Sequence, residues 1–182
     1  MKCRTARCRL TLAILASAVA LATSASGAEW PTRTTPRPVT TEGVPHIQLN
    51  VEPLPELTAE LLRRVEQLPH VDVRDTVVSL PGAKGFWLAD DLPLERPDVI
   101  VGGREFAHIH PDGSLHASLN PKTAQAAIEA GWAIAHPWSS QRRGWEGFVM
   151  IYTPLSEDEL EITFRLIQDS YTFVTGRTLA NE

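Results

Sequence analysis

The spacing of apolar residues changes several times along the 182-residue chain, and each change predicts an element. Leu61, Leu62, Val65 and Leu68 recur at helical spacing behind Thr58, a suitable N-cap, and Pro69 stops the run, so a helix is expected over 58–68. Over 71–88 the period drops to two. VDVRDTVVSL and GFWL flank Pro81-Gly82 and read as strands. After a polar, proline-bearing stretch at 89–97, a strand is expected over 100–110, open to a break at Gly102-Gly103. The Pro111-Asp112-Gly113 turn and a strand over 114–119 follow. Asn120-Pro121 opens a second helix and Gly131 closes it. Strands are expected at 132–136 and 148–152. Ser156 with Glu159 forms a capping box for a last helix, which carries Leu160, Phe164, Ile167, Tyr171 and Val174 on one face and ends near Gly176. Short connections between strands imply antiparallel pairing. The expected fold is therefore α+β: one domain, a mainly antiparallel sheet, and about three helices packed on it.

The N-terminus follows a different pattern. Lys2, Arg4, Arg7 and Arg9 precede the apolar run LTLAILASAVALA (10–22), and Ser26 and Ala28 suit a cleavage site. Residues 1–28 read as a signal peptide, and the product as an exported, periplasmic or extracellular protein. If the segment stays uncleaved, it is the one expected route to a membrane, though thirteen residues fall short of the ~20 a span needs. Both cysteines, Cys3 and Cys8, lie inside it, so the mature chain has no thiol for a disulfide, a nucleophile or a metal. The basic leader also means that the formal net charge of −5 understates the acidity of the remainder, which argues against nucleic acid as a partner. Residues 29–54 are rich in Pro and Thr, lack periodicity, and read as a flexible or extended linker to a domain at 55–178.

Four of the six histidines fall between 108 and 136. In a hairpin turning at His-Pro-Asp-Gly, His110 stands opposite Ser114 and His108 opposite His116. Alternation then puts His108, His110 and His116 on one face with Phe106, and Ala107, Ile109, Leu115, Ala117 and Leu119 on the other. Directly opposed Cβ atoms lie about 5 Å apart, so three imidazoles converge. Such a cluster serves general acid–base chemistry, holds one divalent metal, or is simply a polar sheet face. His136 either joins the cluster or caps a strand end. His46 and His70 are expected in solvent. Trp138 and Tyr152 are candidate pocket walls. The chain carries no GxSxG, P-loop or strand-to-helix GxGxxG motif.

The strings EFAHIHPDGSLHASLNP, GWAIAHPW and FVMIYTP, with a final helix ending FVTG, resemble the luciferase-domain family over about residues 55–176. The resemblance implies a cofactor-free, oxygen-dependent oxidoreductase of monooxygenase type. Fungal members of that family oxidise a hydroxylated styryl-pyrone. It carries over His108, His110, His116 and His136; the first three are candidate catalytic residues, and His136, with Phe106, Trp138 and Tyr152 from the reading of the strands, is a candidate contact for a small aromatic or hydroxypyrone-like substrate. The alternative is a non-catalytic module holding a metal or a small ligand.

Overall fold

The computed structural model describes residues 30–179, so the leader lies outside the described residues. Three helices form as local signals direct. The first, α1 (Pro55–Val65), starts before Thr58 because Pro55 takes the first helical position behind Leu54. It buries Leu57, Leu61 and Val65. The second, α2 (Pro121–Ala130), is capped by Asn120, whose side chain accepts the Lys122 N–H at 3.0 Å, and ends at left-handed Gly131. The third, α3 (Glu157–Thr175), is capped by Ser156, whose Oγ accepts the Glu159 N–H, and ends at Gly176.

The main sheet has six strands: β3 (Val71–Asp75), β4 (Lys84–Leu88), β5 (Glu105–Ile109), β6 (Leu115–Ser118), β7 (Ala133–Ala135) and β8 (Phe148–Ile151). Their order is β3-β4-β5-β6-β8-β7, and every pairing is antiparallel. The α+β class is as expected. Helix α3 packs across β5 and β6, α1 against α3 and β3, and α2 against β7 and β8. The face of Ala107, Ile109, Leu115 and Ala117 lies within this core. Among the described residues no helix is long and apolar enough to cross a membrane.

One residue departs from simple alternation. Across β4 and β5, Phe86 pairs with Ala107 and Trp87 with Glu105, so Phe106 is the extra residue of a β-bulge. The bulge exchanges the faces of its neighbours. Phe106 turns to the helix side, its ring 6.2 Å from Phe86 and 6.1 Å from Tyr171. The Glu105 carboxylate turns to the histidine side, where it meets His108.

The Pro/Thr-rich segment is also not the free spacer that its composition suggests. It begins against α2 and α3, where Trp30 is buried beneath Arg165 and the Arg33 N–H donates to the Ala130 carbonyl. The Arg33 side chain pairs with Glu159 at 2.8 Å. Beyond it, β1 (Val39–Thr40) and β2 (Gln48–Leu49) form a two-stranded ribbon. The ribbon is tied down by Gln48, whose backbone N–H donates to Asp112 and whose side-chain amide donates to Thr153. This strap ends over the histidine face of the sheet.

Candidate functional site

The hairpin takes the register its turn dictates. The Gly113 N–H donates to the His110 carbonyl at 2.9 Å, with Gly113 left-handed at φ 80°, and Asp112 Oδ1 accepts the Ser114 N–H. His108 stands opposite His116. The three imidazoles converge, with ring centroids 5.1 Å apart for His108–His110 and His108–His116, and 4.6 Å for His110–His116. His136, just after β7, joins them at 4.5 Å from His116. The fifth ring was not expected. His46 lies in the strap, is only 3% exposed, stacks on His116 at 5.4 Å and 14°, and lies 5.1 Å from His136. His70 is exposed, as expected.

Neighbouring groups orient these rings. Ser114 Oγ donates to Asp112 Oδ1 at 2.7 Å, so it accepts from His110 Nδ1–H at 3.0 Å, which leaves His110 Nε2 as a bare acceptor. His136 Nδ1 accepts the Trp138 backbone N–H at 3.0 Å, so in the neutral ring Nε2 carries the proton and is a donor. His108 Nδ1 lies 3.0 Å from Glu105 Oε1, and His108 Nε2 lies 3.2 Å from His116 Nδ1. Among the described residues, two imidazole nitrogens are buried without a partner, His116 Nε2 and His46 Nδ1.

Burial sets the protonation. Desolvation holds His46 and His116 below the ordinary histidine range, His116 well below it. It brings His110 down to about 4 and His136 to about 3, and mutual repulsion among the rings adds to the shift. These four imidazoles are therefore neutral near pH 7.

They floor a cavity of about 280 Å³, near the small end of small-molecule sites. Its walls are Val44, Pro45 and Ile47 of the strap, Val78, Ser79 and Leu80 of the β3–β4 connection, and Val101, Trp138 and Phe148. Of the expected wall residues, Trp138 lines the cavity, with its ring 5.2 Å from His136. Tyr152 does not. It is buried beneath the Arg33 guanidinium, 5.5 Å away. Phe106 is held in the core by the bulge. Two sets of side chains have donor atoms within 4.8 Å of one another and could hold a metal: His108, His110 and His116, or His46, His116 and His136. The hydrogen bond to His136 Nδ1 works against the second set, because it leaves the proton on Nε2.

Glu105 is the site residue that alternation hides. Its side chain is fully buried. Besides lying against His108, it accepts from Thr76 Oγ–H at 2.7 Å and from the Val77 N–H at 2.9 Å. Gly85, paired with His108 across the sheet, makes room for it: a Cβ there would lie 2.7 Å from Glu105 Cδ. The available signals were an acid at an otherwise apolar position and the Gly102-Gly103 pair just upstream, a mark of a bulge. Gly85→Ala is expected to cost about 1–3 kcal/mol in urea unfolding, because the carboxylate is packed on every side. A change within about 0.3 kcal/mol would mean that the carboxylate and the Trp87 indole, whose Nε1 would lie just as close to the new Cβ, both move away freely.

Comparison with known proteins agrees with the motifs. Residues 103–170 match the Luciferase domain. The chain carries a luciferase-type domain. The luciferase of Armillaria mellea is 30% identical over 176 residues, which cover 82% of this chain and 64% of its own length. The luciferases of Armillaria gallica and Armillaria ostoyae are each 30% identical over 168 residues, covering 80% of this chain and 61% of their own lengths. The chain thus spans less than two thirds of these relatives. No solved structure matches it. The match begins just before β5 and so takes in His108, His110, His116 and His136, whereas His46 lies outside it.

Proposed function

We propose that this luciferase-domain protein is an oxidoreductase of monooxygenase type. In this reading it acts outside the cytoplasm on a small aromatic or hydroxypyrone-like molecule, with dioxygen as the oxidant. The observation that carries the reading is the pairing of an apolar cavity with a floor of neutral imidazoles, one of which, His116, has a buried and unpartnered Nε2. A bound enol or phenol gives its hydroxyl proton to that nitrogen, and the resulting anion is electron-rich enough to react with dioxygen. His136 Nε2–H is a donor for the developing oxyanion. No cofactor is required, because the substrate's own anion is the reductant. The names of the Armillaria relatives support the reaction class.

The test is oxygen uptake with 4-hydroxy-6-methylpyran-2-one and with catechols, alongside ligand affinity. His116→Ala is expected to lower turnover by at least about 100-fold while affinity stays within about tenfold. A protein that binds these molecules but consumes no oxygen, and loses affinity in the variant, is instead the non-catalytic module. One tightly held equivalent of a divalent metal, lost in His108→Ala, would put that metal in place of the imidazole base.

A further inference from the structure

We propose that Glu105 is a positioning residue of this site: through His108 it holds His116 in the tautomer that leaves Nε2 a free acceptor, and it supplies the negative charge that balances a proton taken up there. The inference rests on the reading of the cluster as a proton acceptor and names the group behind it.

Hydrogen-bond direction orders the protons along this chain of side chains. A carboxylate can only accept. Glu105 takes Thr76 Oγ–H and the Val77 N–H, and its Oε1 lies 3.0 Å from His108 Nδ1, where a bare lone pair would face the carboxylate, so the proton belongs on that nitrogen. A His108 ring that carries its one proton on Nδ1 has a bare Nε2. That nitrogen lies 3.2 Å from His116 Nδ1, so it accepts from His116 Nδ1–H. The proton of His116 is thereby committed to Nδ1, and Nε2, which is buried without a partner, keeps its lone pair.

Proton uptake runs the same path in reverse. When His116 Nε2 takes a proton, its Nδ1–H can pass to His108 Nε2. The positive charge then rests on His108, directly beside the Glu105 carboxylate. The other rings around His116 are His46 from the strap, His110 on β5 and His136 after β7, and none offers a negative charge. The Asp112 carboxylate lies 4.0 Å from His110 Nδ1 and is joined to it through Ser114 Oγ, on a separate branch that does not touch His108. Glu105 is thus the counter-charge for the His108–His116 pair.

Nitrogen-15 NMR of the histidines reads the tautomers without any substrate. In the wild type, His108 and His116 are expected to carry their protons on Nδ1. In Glu105→Gln, which removes the charge, at least one of the two is expected to move its proton to Nε2. A second readout uses 4-nitrophenol, whose anion has its own absorbance band. The apparent pKa of the bound probe is expected to rise by at least about one unit in Glu105→Gln, a tenfold change. A wild-type His108 protonated at Nε2 overturns the proposal at once, as does a variant whose tautomers and probe ionisation match the wild type. If the wild type binds 4-nitrophenol without ionising it, the oxidoreductase reading fails, and the tautomer spectrum still decides on Glu105. If Glu105→Gln does not fold, Gly85→Ala takes its place, since it displaces the carboxylate without changing its charge.

Discussion

Arg33→Ala is expected to destabilise the protein by about 3–5 kcal/mol, the range for removing one partner of a buried ion pair. The Arg33 side chain is 1% exposed and that of Glu159 8%. The guanidinium donates twice to Glu159, from Nε at 3.2 Å and Nη2 at 2.8 Å, and once to the Thr153 carbonyl at 3.0 Å. It also lies 5.7 Å from the Trp132 ring and 5.5 Å from the Tyr152 ring. Burial pushes the Glu159 carboxyl up, and hydrogen bonds from Arg33, Thr35 and the Leu155 N–H more than reverse this, leaving it below the usual carboxylate range. Without Arg33 that carboxylate stays buried with only two weaker donors. The strap loses its anchor at the same time, so limited proteolysis should cut between residues 30 and 54 in the variant and not in the wild type. Urea unfolding measures the energy. A loss below about 1 kcal/mol with an uncut strap would show that the pair is no more than a surface contact.

That anchor marks where reading the chain locally stops working. The ends of α2 and α3, the hairpin register and the antiparallel order depend on residues close together in sequence, such as Asn120-Pro121, Ser156 with Glu159, and His110 to Gly113. These were legible. The strap depends on Trp30, Arg33, His46 and Gln48, four isolated residues whose partners lie more than sixty positions away, as with Gln48 and Asp112 or Arg33 and Glu159. A Pro/Thr-rich segment has no periodicity to announce such contacts, and by composition it resembles a spacer.

The site divides in the same way. Three histidines on one face follow from a tight turn and a period of two. His46 was invisible because its segment has no pattern. Alternation puts Phe106 on the histidine face and passes over Glu105, because a single extra residue inverts the pattern on one side of it, and only pairing across to Phe86 and Trp87 reveals the bulge. The error matters chemically. It hid a fully buried carboxylate that lies against the imidazoles behind a residue that belongs to the core.

Stability is expected to fall steeply as the pH drops from about 6.5 toward 4. In the folded protein, desolvation, with repulsion among the rings, lowers His110 to about 4 and His136 to about 3, and desolvation also lowers His46 and His116. In the unfolded chain each titrates near 6.5. Between these values the unfolded state binds protons that the folded state refuses, so its free energy drops with each pH unit and folding weakens. Above 6.5 both states are neutral at these positions and nothing is lost. For His110 alone, the interval from 6.5 to about 4 corresponds to about 3 kcal/mol, and the other three histidines act in the same direction. Carboxylates held low, such as Glu159, contribute only below about 4.5, so their loss begins where the histidine window is closing. Urea unfolding at pH 7.5, 6.5, 5.5 and 4.5 separates the two. A decline that starts near 6.5 and flattens in His110→Gln identifies the imidazoles. Constant stability down to pH 4.5 would mean that the rings are hydrated and charge freely, and then they could not form the floor of neutral acceptors on which the chemistry depends. Acid lability and the presence of a free acceptor have the same origin here: the desolvation that keeps His116 Nε2 unprotonated at neutral pH is withdrawn from the stability of the fold once protons are abundant.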